Sequence, residues 1–379
     1  MKSRILKFLP GVLLAAMVPG TGWATDAFAN VTVSGFASLY GGKTFGPCAP
    51  TKFAKNSNAC TAFVADYGYG QMYTPSFSLT QESRAGLQIT NKFSEDVSAT
   101  MLLETRPQAG EALNLNWAYV TYRPTPDWTV QVGRKRLPLF QYYDSMDVGY
   151  SSNLIRPNAA LYGWAVTNYN GASADYEFAL AGWTLRAQAF AGQESTKKNR
   201  YMSLYYPTPQ NVDWKNIEGA TLDFSKEWFS GRIGYTKLNF SQTDSQTGPI
   251  QQLTGTYSSE QNFLDVALNA DLGNWTLKSE LAKSDQRGFG PVVTSWMMSA
   301  GYRTGKLTTS LEYARYDERT PWDPSVYTPV QTRSYVLAER YDLRDGMALK
   351  IQLDHFLTLS GAPGSPLVNV VTVGFDSVF

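Results

Sequence analysis

The chain has 379 residues, with 33 Lys and Arg against 32 Asp and Glu, 14% aromatic residues, one His and two Cys. Near-neutral charge leaves no electrostatic footprint for nucleic acid, and one His offers little for a zinc site or a His-dependent catalytic centre. Beyond residue 29 no apolar run reaches the length of a membrane-spanning helix, yet a membrane β-barrel would read the same way, because its two faces alternate and average out.

Residues 1–29 read as a secretory signal peptide: Lys2, Arg4 and Lys7 form a basic head, Phe8 to Val18 an apolar run, and Ala27-Phe28-Ala29 a cleavage site. Gly22-Trp23-Ala24 is a second cleavage option, and Pro10 and Pro19 bracket an apolar run too short to span a bilayer. Taking those three bases and Asp26 from 33 and 32 leaves 30 against 31, a net charge of −1 for the exported domain, residues 30–379.

Period-2 segments then recur in pairs, joined alternately by short turns and long loops. Val31 to Tyr40 comes first. A long loop (Gly42 to Gln81) leads to Arg84 to Thr90 and then, past a short turn, to Val97 to Arg106. Asn114 to Tyr122 and Trp128 to Lys135 flank the turn Pro124 to Asp127. After a long irregular stretch come Asn170 to Glu177, Trp183 to Gly192, Ile217 to Phe224 and Phe229 to Phe240. Asn262 to Ala270, Trp275 to Ser284, Val292 to Tyr302 and Leu307 to Tyr316 follow. Arg333 to Tyr341, Ala348 to His355 and Leu367 to Phe379 complete sixteen strands, with fourteen and eighteen as neighbouring counts. The predicted fold is all-β: a transmembrane antiparallel barrel of sixteen strands.

Parity supports lipid on one face. Leu349, Ile351 and Leu353 oppose Lys350, Gln352 and Asp354; Val371, Val373 and Phe375 oppose Thr372, Gly374 and Asp376. Trp128, Trp183, Trp228, Trp275 and Tyr341 stand beside short turns, as an interfacial girdle would.

The irregular stretch, about residues 136–163, carries prolines, paired aromatics, Asp144 and Asp147, and runs through Arg156-Pro157 to Tyr162-Gly163. Loops of this length in compact domains are usually functional. It is predicted to fold into the barrel and narrow a water-filled pore.

These features together resemble Gram-negative outer-membrane porins. The resemblance rests on the signal peptide, the opening Val31-Thr-Val-Ser-Gly35-Phe, the third long loop after Gly133-Arg134, and the terminal Phe379. Within porins the chain is similar to environmental gammaproteobacterial members, through Ser83-Arg-Ala-Gly-Leu-Gln88, Trp117-Ala-Tyr119 and Asp147-Val-Gly-Tyr150. The resemblance implies passive diffusion of small hydrophilic solutes, a place in the outer membrane among lipid and lipopolysaccharide, and a homotrimer. It also implies that Phe375 and Phe379 form the signal read by the barrel-assembly machinery. The connection that often latches porin trimers is short here (Pro107 to Glu111).

By the same resemblance, Asp144 and Asp147 would face wall bases across a constriction: Arg84, Arg106, Lys135 and Arg136, with Glu104 sharing the parity of Arg106. Arg134 has outward parity unless the strand bulges. Further inward charges are Arg186, Lys278, Arg340 and Lys350 against Glu280, Glu312 and Asp354, so weak ion selectivity is expected. Phe140, Tyr142 and Tyr143 read either as a sugar-stacking track or as anchors of the loop against the wall.

Cys48 and Cys60 fall in the first long loop of an exported chain, and a disulfide between them is expected, closing that loop. His355 has outward parity and no inward Ser partner nearby, so no enzyme is predicted. No metal spacing or phosphate-binding glycine loop appears, and no cofactor is implied. Two alternatives stay open: a substrate-specific porin for sugars or anions, and a receptor barrel gated by its loops.

Overall fold

The computed structural model describes residues 30–46, 62–64, 71–109, 111–202, 208–244, 257–287, 290–319, 330–360 and 367–379. The signal-peptide reading and the Cys48–Cys60 pairing fall outside the described residues. The strands are β1 (Val31–Phe45), β2 (Ala62–Val64), β3 (Gln71–Tyr73), β4 (Arg84–Lys92), β5 (Val97–Arg106) and β6 (Glu111–Thr125). Next come β7 (Trp128–Arg136), β8 (Asn168–Leu180), β9 (Trp183–Thr196), β10 (Gln210–Lys226), β11 (Phe229–Asp244) and β12 (Tyr257–Leu272). The last six are β13 (Trp275–Gln286), β14 (Val292–Thr304), β15 (Leu307–Arg319), β16 (Val330–Arg344), β17 (Met347–Ser360) and β18 (Leu367–Val378).

β1 and β4 through β18 close into one antiparallel barrel of sixteen strands, in which each strand pairs with its barrel neighbours in sequence and β1 pairs with β18. Closure carries the ends together: Phe36 opposes Val378, and Gly35 and Phe379 exchange backbone hydrogen bonds of 2.9 and 3.0 Å. Each predicted strand corresponds to one barrel strand. Several run longer, as with β10 and β11, because alternation continues beyond the apolar band into polar residues such as Asp213 and Gln242. A two-stranded hairpin of β2 and β3, within the first long loop, was not anticipated.

Polarity is inverted relative to a water-soluble domain. Leu39, Val132, Met298, Leu311 and Val373 are exposed on the outer face, while Asp265, Glu280, Lys350, Asp354 and Asp376 are buried inside. Only an apolar medium around the barrel makes that arrangement favourable. Near the short turns, rings pair side by side: Trp128 with Tyr176 at 4.9 Å and Trp275 with Tyr302 at 4.6 Å. No helix among the described residues is long and apolar enough to cross a membrane.

Leu311→Arg places a charge on the outer face of β15, and lipid-facing arginine near mid-bilayer costs about 2–4 kcal/mol. Urea unfolding of the barrel in phospholipid vesicles should report a loss of that size; an unchanged midpoint would mean that this face does not meet lipid.

Candidate functional site

The chain leaves β7 at Arg136 and re-enters the sheet at Asn168, and the segment between them lies against inward-facing side chains. It contains a short helix, α1 (Ala159–Tyr162), capped by Asn158, whose side chain accepts from the Ala160 N–H. Gly133, just before the exit, has φ +141°, and a Cβ there would sit 2.3 Å from the Ala118 carbonyl oxygen. Glycine is therefore required at this close approach of β7 to β6.

Two kinds of force hold the segment. Toward β8–β14 it is apolar: Leu137, Leu139, Phe140, Leu161 and Tyr162 are buried in one core with Phe190, Trp214 and Phe263 from the wall. Phe140 stacks at 4.6 Å on Tyr162 and meets Phe263 edge-on at 5.2 Å. Full burial of such side chains stabilises by roughly 1.5–3 kcal/mol each. Of the two readings of the aromatic track, this geometry favours anchoring. Phe140 and Tyr143 are buried, with Arg232 over the Tyr143 ring at 4.9 Å and Lys278 over Tyr142 at 4.6 Å. Burial, then the nearby Asp144 charge, pushes the Tyr143 phenol up to about 12.

Elsewhere the segment is pinned by charge. Asp147 is 2% exposed; it accepts from Arg106 at 2.6 Å and from Asn116 at 3.2 Å, and it contacts Arg136. Arg84 donates to the Asp147 and Met146 carbonyls at 2.7 and 3.1 Å, and Glu104 pairs with Arg106 at 2.9 Å. Asn116 joins through a β-bulge: Leu102 opposes Trp117 and Leu103 opposes Leu115, so the extra residue between them turns its side chain inward. The expected picture of Asp147 facing Arg84, Arg106 and Arg136 across an opening is therefore corrected. These groups touch, because buried charges that meet no partner are too costly to keep.

A second clamp was not anticipated. Arg156 bonds Glu82 at 2.6 Å through both Nε and Nη2 and also contacts Asp354 and Thr372, with the Tyr73 ring 5.6 Å away. Burial works to lower its pKa, but Asp354 and Glu82 outweigh it and hold the guanidinium above its ordinary value. Glu82 lies just before β4, so this clamp ties the end of the first long loop to the third. The only sequence signal was an Arg-Pro pair in a loop otherwise rich in packing residues.

More wall groups complete the ring. Lys350 donates to the Gly149 and Leu154 carbonyls at 2.7 and 3.1 Å, and Arg340 to those of Tyr150 and Ser152 at 2.7 and 2.9 Å. Glu280 accepts from the Gln141 N–H at 2.8 Å and the Tyr162 hydroxyl at 2.6 Å; Glu312 accepts from Asn158 at 2.9 Å. At Gly149 a Cβ would fall 2.1 Å from both the Asp376 carboxylate and the Tyr40 hydroxyl, so the loop touches β1 and β18 there as bare backbone.

Three of the expected groups stand apart from these clamps. Asp144 is exposed, near enough to Tyr143, Tyr119 and Arg232 to act on them electrostatically. Lys135 bonds Ser173 on β8. Arg134 pairs with Glu194 at 2.7 Å. The inward groups of β8–β10 bond within the wall, as Arg186 and Gln188 do to Asp175 at 2.6 and 2.7 Å, and Asp223 to Arg232 at 2.6 Å.

A family model described as Gram-negative porin matches residues 11–358. No curated protein matches the chain. Among solved structures, the chain is similar to the outer membrane channel DcaP of Acinetobacter baumannii, with TM-score 0.60 and 12% identity over 92% of this chain and 97% of that one. It is similar to an anion-selective porin from Comamonas acidovorans (0.57, 15%, 92% and 99%) and to a loop L8 deletion mutant of OmpT, an outer membrane protein of Vibrio cholerae (0.57, 10%, 92% and 100%). At these identities the likeness is one of fold.

Asp147→Asn leaves two buried guanidiniums short of their shared anion, and breaking a buried pair costs about 3–5 kcal/mol. Limited proteolysis of the folded barrel should cut within residues 137–163 faster in this variant. Gly149→Val should loosen the same segment from β1 and β18, and a cleavage rate equal to that of the native chain in both variants would remove these contacts as anchors.

Proposed function

The chain belongs to the Gram-negative porins and forms a channel in the bacterial outer membrane, and from that premise we propose a general-diffusion pore for small hydrophilic solutes. Residues 136–163 form its constriction. The observation that carries this reading is the uneven lining of the lumen. Hydrogen bonds from the loop fall on β4–β6 and β11–β18, whereas on β8 and β9 Asp175 takes Arg186 and Gln188, and Ser173 takes Lys135 of β7. The path runs along that arc, past Asp144 on the loop side and Lys135 and Arg186 on the wall. Asp175 and Asp223 offset these bases, so selectivity between ions is weak.

Cleavage after Ala29 releases the exported domain, and Phe375 and Phe379 carry the assembly signal. OmpT of Vibrio cholerae is known in a trimer form, which supports a homotrimer here. No catalysis is part of the reading: His355, the one histidine, lies on the outer face with Nδ1 2.7 Å from Asn369 Oδ1.

Single-channel recording of the purified protein in a planar bilayer under a salt gradient tests this. Openings should arrive three at a time, with a reversal potential near zero. Asp144→Asn should move it toward anions, because it removes the exposed loop carboxylate. Silence from correctly folded protein would instead favour a barrel that its loops hold shut.

A further inference from the structure

Lys278 of β13 and Glu312 of β15 stand on one rung of the barrel wall. Each is the register partner of Ser299 on β14, and all three share the inward parity, so the two backbones lie roughly 10 Å apart, two strand spacings. Ser299 is too short to fill the gap between the longer side chains. Elsewhere on the inner wall opposite charges meet, as Arg186 meets Asp175, Arg232 meets Asp223 and Lys350 meets Asp376. These two do not.

Each is drawn away from the other. Lys278 lies 4.6 Å from the centroid of the Tyr142 ring, whose hydroxyl donates to Asn269 on β12. Glu312 accepts from Asn158 through Oε1 at 2.9 Å, and Asn158 in turn donates to Ser334 on β16 at 3.0 Å. Among the described residues the Lys278 ammonium has no acceptor, and Oε2 of Glu312 has no donor. Between them lies a cavity closed by Tyr142, Leu154 and Asn158 of the loop and by Lys278, Met297 and Glu312 of the wall. Its volume of about 50 Å³ is several times the room that one water needs.

The charges select the occupant. A simple anion at Lys278 would be opposed by Glu312, and a simple cation at Glu312 by Lys278. An uncharged polyol would leave both charges without a counter-charge. A small molecule with a carboxylate and an ammonium on neighbouring atoms answers both at once. Leu154 and Met297 offer apolar wall to a short side chain. We propose that this cavity binds a short-chain α-amino acid as its zwitterion, with the carboxylate on Lys278 and the ammonium on Oε2 of Glu312. The inference deepens the pore reading and rests on it, because the ligand arrives through a water-filled lumen.

Saturation-transfer NMR on the purified barrel in detergent micelles tests it with L-alanine and two near-isosteres. Lactate keeps the carboxylate and lacks the ammonium; isopropylamine keeps the ammonium and lacks the carboxylate. Alanine should bind the native chain roughly tenfold or more tightly than either. In Lys278→Met, alanine should fall to the level of isopropylamine, and in Glu312→Gln to the level of lactate, a charge-specific split that a loosened loop would not produce. Equal binding of all three by the native chain, no binding of alanine, or native alanine affinity in both variants would each overturn the site. Bilayer recording separates this outcome from that of the pore: open channels without alanine binding sink the site alone, whereas alanine binding by a silent barrel upholds the site and counts against the diffusion pore. The three-ligand comparison on the native chain decides the matter even where a variant does not fold.

Discussion

The inside of this barrel is organised around the expense of burying a guanidinium. A loop that enters a water-filled lumen takes hydration away from the charges on the wall, and each of those charges must then find a protein partner or stay out. Arg84, Arg106 and Arg136 find Asp147, Glu104 and two carbonyls, while Arg156 finds Glu82 and Asp354. Lys350 finds Asp376 at 2.9 Å together with the backbone of the loop. Many charges that might have lined an open passage are thereby committed to holding the loop.

Such clamps specify position more than they add stability, since pairing in a low-dielectric site mostly offsets desolvation. Stabilisation comes from the opposite flank, where Phe140, Leu161 and Tyr162 bury apolar surface against Phe263 and its neighbours. Division of labour between the two flanks gives the loop one seat. On β8 and β9, Asp175, Arg186 and Gln188 satisfy one another within the sheet instead of holding the loop. Asp144 is exposed, while the loop uses its other carboxylate, Asp147, as an anchor.

Outside, the same logic runs in reverse. Apolar side chains dominate the outward parity because lipid, unlike water, demands nothing from them. Charges there are unevenly distributed: the outer end of β13–β16 concentrates bases over an aromatic row.

Much of the architecture was legible in the amino-acid order because it depends on local rules. A side-chain period of two, aromatic residues beside short turns and the sixteen recurring segments each read out within ten residues or so, and closure followed the counted strands. The hairpin of β2 and β3 was missed because three-residue strands leave no periodic signal. In the loop, Asp144 and Asp147 looked equivalent, three residues apart on one irregular stretch. Only the closed barrel separates them, by bringing Arg106 and the bulged Asn116 within reach of one and leaving the other exposed. Likewise Arg156 meets Glu82 across 74 positions and Asp354 across 198. Parity and strand number are properties of short segments, so the sequence by itself determined them; which buried charges meet is a property of closure, so the tertiary structure alone decided it.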